Sequence, residues 1–368
     1  MIRCQAAVAD GYGQFQLDEI EVGPPQGDEV LVRLKASGIC HTDHASLRWG
    51  RPLVMGHEGA GVVQAVGPRV TTVRPGDSVV LNWAIPCGTC FQCSRGSQVL
   101  CESSRPAHVL QRSDGHARPD GTLWQSRPID RSFNLGTLSE WTLVREAAVT
   151  TIDPAIPFSS AAIVGCGVMT GFGSVTNVAR PEPGANVAII GCGGVGLNVI
   201  QAARLARCGL IVAIDPRPGS LDRALEFGAT HVLTVSPEDA DLQRVARQVR
   251  DLTGGRGVDF AFEATSIPRL AFAPLRLVRD GGMALQVSGI NDPVNVEMPL
   301  FMWNKTYVTP LYGGCVPSRD FPRIFGHYQR GELRLDELVT RTYRLPDLAA
   351  AIDDMMEGRN AKGVILFD

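Results

Sequence analysis

The sequence predicts an α/β protein built from a mainly-β part and a doubly wound parallel sheet. A length of 368 residues exceeds what one hydrophobic core usually holds and favours two domains. Short β patterns separated by Gly and Pro turns extend to about residue 165. From about residue 186, apolar strands alternate with helices, which is typical of a parallel sheet.

The mainly-β part begins with strand patterns at 30–36, 59–66 and 77–81. Residues 102–135 are rich in Arg, Ser, Pro, Asp and Gly, and we expect them to form one long loop. Since long loops usually have a function, this loop is expected near a functional site. The tail, 313–368, returns to a mixed pattern.

The alternating part begins with a strand at 186–190 and a helix from Val195 to Cys208, which Gly209 ends. A second strand follows at 210–215. The remaining predicted elements are helices at 221–227, 239–252 and 267–279 and strands at 231–235, 258–263, 283–287 and 307–312.

Composition excludes several functional classes. The net charge is −3, from 35 basic and 38 acidic residues, so no strong positive field favours nucleic acid or an anionic membrane. Apolar runs such as Val187 to Ile190 are far too short to span a bilayer. The N-terminus lacks the long apolar stretch of a secretory signal. We therefore expect a cytoplasmic protein that binds neither nucleic acid nor membranes.

A glycine-rich motif opens the first predicted helix of the alternating part. Gly191-Cys192-Gly193-Gly194-Val195-Gly196 fits G-x-G-x-x-G between a strand and a helix. These glycines allow a tight turn and close approach to a pyrophosphate, which the helix N-terminus attracts. Asp215, at the end of the second strand, would bond the ribose hydroxyls and favours NAD over NADP. Arg217 would instead suit a 2′-phosphate, and a glycine-rich turn without a ligand is the remaining alternative.

Four cysteines lie at short spacing in Cys87-x₂-Cys90-x₂-Cys93-x₇-Cys101. Four thiolates close a tetrahedron around Zn²⁺, and a closed site of this kind is structural. Iron–sulfur ligation of the bacterial type needs three residues before the last cysteine and a proline after it, whereas Glu102 follows here. Disulfides are disfavoured in a reducing compartment. The cluster therefore predicts a structural zinc site.

A second set of metal-binding residue types is spread along the chain. Cys40 and His57 are seventeen residues apart, and Cys166 follows over a hundred residues later. Two Cys and one His form a catalytic zinc pattern whose fourth position is left for water or substrate. The residues alone do not join Cys166 to the others, because a lone Gly-Cys-Gly is more often a buried small hydrophobe.

Taken together, these motifs resemble the zinc-containing medium-chain alcohol dehydrogenases, in the branch of the liver enzyme and the glutathione-dependent formaldehyde dehydrogenases. The resemblance covers nearly the whole chain. The motifs that carry it, besides the cysteine cluster, are 35–43 (KASGICHTD), 56–61 (GHEGAG), 74–79 (RPGDSV), 164–173 (VGCGVMTGFG), 190–202 (IGCGGVGLNVIQA) and 357–367 (EGRNAKGVILF).

The resemblance implies a GroES-like mainly-β catalytic domain at 1–167 and 312–368, with a Rossmann NAD-binding domain at 168–311. It implies a homodimer or homotetramer that transfers hydride reversibly between NAD(H) and a primary, apolar or aromatic alcohol or aldehyde. Three alternatives stay open: a thiol-dependent formaldehyde dehydrogenase acting on an S-hydroxymethyl-thiol, a specialised biosynthetic reductase, and a dinucleotide-binding protein without catalysis.

The resemblance also assigns roles around the catalytic zinc, with Cys40, His57 and Cys166 as its ligands. Asp43 would bond the second ring nitrogen of His57 and so fix its tautomer. The other implied residues are Glu58 behind the metal and Thr42 as acceptor of the alcohol proton. Many relatives place a relay histidine where this chain has Ala45, so His44 is either a displaced relay base or a solvent-exposed turn residue.

Cofactor and substrate residues follow from the same resemblance. His41 and Lys362 would contact the pyrophosphate, and Asp215 would contact the ribose. Val195 and Thr170 would lie near the nicotinamide. The residues implied for the substrate pocket are Trp83, Leu138, Ile290 and Leu311, beside a 46–55 loop that is shorter than in the liver enzyme.

Overall fold

A computed structural model describes residues 1–103, 118 and 121–368. The chain forms two compact units, one of Met1–Cys166 with Val316–Asp368 and the other of Gly167–Cys315. The two crossings between units lie one and four residues from the boundaries expected at 167 and 311. Both ends of the chain therefore belong to the first unit.

The strands, in chain order, are β1 Ile2–Ala9, β2 Phe15–Val22, β3 Glu29–Gly38, β4 Leu53–Val54, β5 Glu58–Val66, β6 Ser78–Leu81, β7 Thr122–Trp124, β8 Arg127–Pro128, β9 Asp130–Arg131, β10 Trp141–Arg145, β11 Val149–Thr151, β12 Asn186–Ile190, β13 Leu210–Asp215, β14 His231–Thr234, β15 Val258–Glu263, β16 Val278–Gln286, β17 Thr306–Val308, β18 Val339–Tyr343 and β19 Lys362–Leu366.

The α-helices are α1 His41–Ser46, α2 Phe91–Ser94, α3 Phe158–Ala162, α4 Gly167–Gly173, α5 Gly194–Leu205, α6 Pro218–Phe227, α7 Gln243–Leu252, α8 Pro274–Leu277, α9 Pro317–Gln329 and α10 Leu348–Met356.

Two sheets form the first unit. One has the strand order β8-β7-β2-β1-β4-β9, and the other has the order β11-β6-β5-β3-β19-β18, with β10 also paired to β3. Seven of the ten residues of strand β3 are buried, and the strand has neighbours on both edges. In the β3–β5 pair Gly38 lies opposite Glu58, so the chain leaves β3 beside the point where it enters β5. This pairing brings Cys40 and His57 close together.

The second unit is a parallel sheet of order β14-β13-β12-β15-β16-β17. The order reverses between β12 and β15, which is the point where sheets of this type bind ligands beyond the carboxyl ends of their strands. Strands β12, β13 and β15 have the bounds that the sequence predicts. The apolar residues of β12, including Ala188 and Ile190, pack in a core with Val245 and Val249 of α7.

Three local predictions differ from the structure. The predicted loop at 102–135 contains β7, β8, β9 and a 3-10 helix at Ser132–Asn134, while residues 104–117 and 119–120 lie outside the described part. The β-favouring Thr122–Trp124 pairs with β2, and flanking Arg, Gly and Pro residues conceal this pattern in the sequence.

The predicted helix at 267–279 is also absent as one element. A 3-10 helix at Pro268–Leu270 and the short α8 replace it, and β16 begins at Val278. Pro274 lacks an N–H group and cannot continue a helix that begins before it. Likewise, β17 is shorter than the predicted 307–312, because Pro310 follows it.

Across the described ranges, no single helix is both long and apolar enough to cross a membrane. One bent pair of consecutive helices, Phe158–Gly165 and Gly167–Ala179, meets the length and composition test only when the two are joined.

Candidate active site and metal centres

Helix α1 begins directly after β3 and carries the first group of site residues. Cys40 is its N-cap, with an extended backbone at φ −130° and ψ 153°. The carboxylate of Asp43 accepts a hydrogen bond from the Cys40 backbone N–H at 2.8 Å. Its other oxygen lies 2.9 Å from Nδ1 of His57, and the Asp43 side chain is wholly buried. One carboxylate thus fixes both the turn that holds Cys40 and the ring of His57.

The remaining nitrogen of His57 points to a metal ligand. Because Nδ1 faces Asp43, Nε2 is left, and this buried atom has no hydrogen-bond partner among the described residues. Ligand atoms of Cys40, His57, Glu58 and Cys166 all lie within 4.8 Å of one another. Two sulfurs and an imidazole nitrogen match the donor set that Zn²⁺ prefers. These residues therefore fit a zinc ion.

The two thiols of this group share a hydrogen bond, which lowers the pKa of Cys40 and raises the pKa of Cys166. Burial also raises the pKa of Cys166, since a thiolate is poorly solvated there. A divalent cation would stabilise both residues as thiolates. The two sulfurs are therefore better suited to bind a metal ion than to remain protonated.

Glu58 and Lys362 form a buried ion pair beside the ligand group. The Lys362 ammonium donates to Glu58 Oε1 at 2.7 Å and to the Ile39 carbonyl at 3.0 Å. Burial raises the pKa of Glu58 to about 7, although the ammonium opposes that shift. The structure places the Lys362 ammonium on Glu58 with only 8% of the side chain exposed, and the expected contact with a pyrophosphate stays a prediction.

The four clustered cysteines form a second group, with their ligand atoms also within 4.8 Å of one another. The backbone N–H groups of Cys90 and Cys87 lie 3.3 Å from the sulfurs of Cys87 and Cys101, respectively. N–H groups from Thr89 and Cys90 help lower the pKa of Cys87 to about 5, because they stabilise a thiolate. The turn around α2 therefore presents its backbone donors to sulfur, as a four-thiolate zinc site requires.

Thr42 and His44 lie on α1 in different directions. Oγ1 of Thr42 is 3.7 Å from Sγ of Cys40, so this hydroxyl lies beside the ligand group. His44 is two residues later, which is about 200° around a helix, whereas Ala45, at about 300°, lies nearer the Thr42 side. The helix geometry therefore favours the turn alternative for His44 over the relay alternative, and neither is tested.

The ring of Phe133 lies against His57 and against two tryptophans. The ring of Phe133 lies 4.8 Å from that of His57, 5.0 Å from that of Trp83 and 5.8 Å from that of Trp49, measured between centroids. The sequence predicted Trp83 but missed Phe133 and Trp49. Phe133 has a left-handed backbone, at φ 52° and ψ 29°, within a segment that the sequence predicts to be loop. Its one sequence signal was an aromatic residue in an otherwise polar stretch.

Leu138, expected in the substrate pocket, is instead a core residue. The structure places it in the hydrophobic core with Ala7, Met55 and Ile365, and none of its surface is exposed. Its backbone oxygen and nitrogen bond to Ala7 and Met55. Leu138 is therefore a packing residue and does not line a pocket.

The glycine-rich turn of the second unit lies between β12 and α5. Gly191 has φ +92°, and a Cβ there would lie 2.7 Å from Cγ2 of Thr265. A Cβ on Gly196 would lie 1.9 Å from the Gly191 carbonyl oxygen. By contrast, no described atom lies within 4 Å of a Cβ built on Gly193, the N-cap of α5. The turn thus packs tightly on one side and is open where a pyrophosphate would approach the helix N-terminus.

Asp215 ends β13 and is 2% exposed. Its carboxylate accepts from the backbone N–H groups of Cys192 and Arg217, each at 2.9 Å, and from Nε of Arg217 at 3.3 Å. The side chain of Arg217 is therefore an ion-pair partner of Asp215, which leaves it less available to a 2′-phosphate.

The structure places the other predicted cofactor and pocket residues as follows: Thr170 buried in α4, Val195 half-buried in the first turn of α5, Ile290 half-buried after β16, Leu311 exposed in a 3-10 helix and His41 exposed at the start of α1.

Two protein families match different parts of this chain. Residues 26–154 match the alcohol dehydrogenase GroES-like domain family and residues 194–328 match the zinc-binding dehydrogenase family. The chain is 35% identical to "Putative alcohol dehydrogenase D" of Mycobacterium tuberculosis, covering 99% of this chain and 100% of that one. It is 34% identical to an S-(hydroxymethyl)glutathione dehydrogenase of Synechocystis, with coverage of 99% and 100%.

Among solved structures, benzyl alcohol dehydrogenase from Acinetobacter calcoaceticus superposes with a TM-score of 0.89 at 28% identity, and the match covers 100% of both chains. The fold, the family matches and the full-length relatives agree. The chain therefore belongs to the zinc-containing medium-chain alcohol dehydrogenase family.

Proposed function

We propose that this zinc-dependent alcohol dehydrogenase uses NAD(H), carries one catalytic and one structural zinc ion, and acts on primary alcohols with an apolar or aromatic body. The observation that carries the proposal is the convergence of Cys40, His57 and Cys166, with the imidazole oriented by a buried carboxylate. The cytoplasmic location and the homo-oligomeric state expected from the sequence stay predictions.

The reaction removes a proton and a hydride from the alcohol and leaves an aldehyde. Zinc held by Cys40, His57 and Cys166 would supply a Lewis acid for the alcohol oxygen, and NAD would supply the hydride acceptor. Asp43 holds the imidazole in the tautomer that leaves Nε2 available. The Thr42 hydroxyl, beside Cys40, accepts the alcohol proton and donates its own outward.

Charge around the ligand group is balanced by Lys362. Its buried ammonium neutralises the Glu58 carboxylate. The zinc ion would then have to compensate only the two thiolates and not a third negative charge. The ion pair also keeps Glu58 close to the ligand atoms of Cys40, His57 and Cys166. A carboxylate oxygen of Glu58 would therefore be within reach of a zinc ion held there.

The aromatic residues support an apolar substrate. Phe133 packs against both His57 and Trp83, and the two aromatic side chains are each less than a tenth exposed. Rings beside a metal ligand exclude water and favour an apolar substrate body. An S-hydroxymethyl-thiol is the second candidate, because a full-length relative carries that activity in its name.

One preparation tests these proposals. Protein purified without chelator should contain two zinc ions per chain by elemental analysis, and treatment with a chelator should abolish activity. The NADH absorbance change should be larger with benzyl alcohol and 1-hexanol than with formaldehyde plus glutathione. One zinc ion at full activity would overturn the metal assignment, and thiol-dependent turnover would favour the second candidate.

A further inference from the structure

The most unusual charged residue of the second unit is Glu263, the last residue of β15. Its side chain is wholly buried, with 0% relative exposure. No described residue forms an ion pair with it, and its hydrogen-bond donors are neutral. Burying an unpaired carboxylate is costly unless several donors satisfy it. The position therefore needs an explanation beyond packing.

The donors come from two different loops. One carboxylate oxygen accepts from the backbone N–H and the hydroxyl of Thr265, each at 2.5 Å. The other accepts a short hydrogen bond from the hydroxyl of Ser288. Thr265 belongs to the turn after β15, and Ser288 belongs to the segment after β16. One side chain thus joins the loops that leave two neighbouring strands.

These loops lie at the ligand-binding edge of the sheet. Strand order reverses between β12 and β15, and Glu263 ends β15 at that reversal. Cγ2 of Thr265 is also the atom nearest to a Cβ built on Gly191, so the turn held by Glu263 packs against the glycine-rich turn. No described atom lies within 4 Å of a Cβ on Gly289, so the segment after Ser288 borders open space.

The strand order indicates which part of a dinucleotide would meet these loops. Asp215 at the end of β13 lies on one side of β12, and β15 and β16 lie on the other. A pyrophosphate at the N-terminus of α5 would lie between them. Three strand spacings separate β13 from β16, or about 14 Å, which is comparable with the reach of a dinucleotide. The half that does not contact Asp215 therefore extends towards Thr265 and Ser288.

We propose that Glu263 is a positioning residue that ties Thr265 to Ser288 and so fixes the nicotinamide half of the cofactor site, while leaving the adenosine half unaffected. This inference rests on the proposed use of NAD(H). The carboxylate acts through its two partners, so removing either partner hydroxyl should reproduce part of the effect. Glutamine should replace it, because its oxygen accepts from Thr265 and its amide donates to Ser288.

The test measures two ligands on each variant of the zinc-loaded enzyme. NADH spans both halves of the site, whereas AMP reports only the adenosine half. In Ser288→Ala and Thr265→Val, the Kd for NADH should rise about tenfold, as expected for one charge-assisted hydrogen bond, while the Kd for AMP stays within about twofold. Glu263→Gln should bind both ligands like the wild type, and Glu263→Ala should lose NADH affinity most.

A matched control lies in the same unit, away from this edge. The hydroxyl of Thr253, after α7, accepts from the Gly257 N–H at 2.8 Å and is also buried. Thr253→Val should lower the melting temperature without changing either Kd. Equal losses of NADH and AMP affinity in Ser288→Ala, or no loss of either, would overturn the inference. A wild type that binds neither ligand would instead overturn the proposed cofactor.

Discussion

At the scale of single residues, we expect Thr42, which lies beside Cys40, to control the space next to the ligand group. Its β-methyl would occupy room that a serine would leave free for a second substituent on the reacting carbon. We therefore expect benzyl alcohol to be preferred over 1-phenylethanol, and 1-hexanol over 2-hexanol, by about tenfold or more in kcat/KM. Thr42→Ser should recover activity on the secondary alcohols. Equal turnover of both members by the wild type would show that Thr42 does not set this boundary.

Thr42 and His44 make a second comparison on the same helix. Thr42→Val keeps the shape and removes the hydroxyl, and we expect kcat to fall by about a hundredfold or more, as for the loss of a proton-transfer group. His44→Gln should change kcat by less than about threefold, because its side chain points away from Thr42. Measuring kcat across pH for both variants shows which of the two residues belongs to the proton relay. A large loss of kcat in His44→Gln would show that His44 takes part in the relay.

Asp215 should determine the choice between NAD and NADP. If Asp215 contacts the ribose as proposed, its buried carboxylate would repel a 2′-phosphate, and Arg217 is already paired with it. We expect NAD to be preferred, and Asp215→Gly to narrow the ratio of kcat/KM values by one to two orders of magnitude. Arg217→Ala should leave the preference for NAD in place. A wild type that prefers NADP would mean that Arg217 dominates.

The sequence predicts many of these residues for a physical reason. Cys40, Asp43 and His57 sit in short motifs at the ends of paired strands, so local spacing already limits where they lie. Phe133 and the Lys362–Glu58 pair were not predicted, because a left-handed turn and a contact across 304 residues depend on tertiary packing.

At the scale of elements, the turn of Cys87, Cys90, Cys93 and Cys101 should depend on its metal for its structure. Its only helical pieces are α2 and a 3-10 helix at Gln98–Leu100, too short to be stable alone. Cys87→Ser should therefore lower the melting temperature by about 10 °C, the equivalent of a few kcal/mol, and leave surviving molecules active.

Cys40→Ser is the matched change in the other ligand group. The α1 segment is held by Asp43 and by β3, so it keeps its shape with a weaker ligand. This variant should lose nearly all activity, while its melting temperature stays closer to that of the wild type. Thermal melts and kcat measured on Cys87→Ser and Cys40→Ser test whether one ligand group is structural and the other catalytic. Equal effects of the two changes on both quantities would contradict it.

Periodicity predicted elements well where the local pattern was unbroken. Strands β12 and β13 are nearly continuous apolar runs, β15 is mostly apolar, and the bounds of all three match the prediction. The prediction of a helix at 267–279 was wrong, because the prolines at 268 and 274 interrupt a helix despite the helical spacing of the apolar residues around them. The turn held by Glu263 was also missed, since no local pattern shows that a glutamate at a strand end will be wholly buried.

At the scale of the whole molecule, the first unit depends on both chain ends. Strand β19 pairs with β3 and β18 and so lies inside the sheet rather than at its edge. The same strand begins with Lys362, which reaches Glu58 at the start of β5. Losing the C-terminal strand would expose an edge of β3 and remove the ammonium from the ligand group. Folding of the catalytic unit therefore requires the chain on both sides of the second unit.

The expected homo-oligomer makes a prediction about the second unit. Strand β17 ends the described sheet, and its outer edge has hydrogen-bonding groups available to another strand. Large apolar side chains are exposed nearby, with Met298 at 69%, Met302 at 52% and Trp303 at 69%. Exposed apolar residues grouped beside an open strand edge are typical of a protein–protein interface. We therefore expect two chains to associate through this edge, around a twofold axis.

Charged substitutions at this edge test the prediction. Met302→Glu combined with Trp303→Glu should convert the dimer to a monomer, because two carboxylates from each chain would be buried against their copies. Leu225→Glu on α6 is the matched control, since Leu225 is also exposed, at 45%, but lies away from β17. Molar mass by sedimentation equilibrium is the measurement. A double variant that keeps the mass of the wild type, or a control that also dissociates, would place the interface elsewhere.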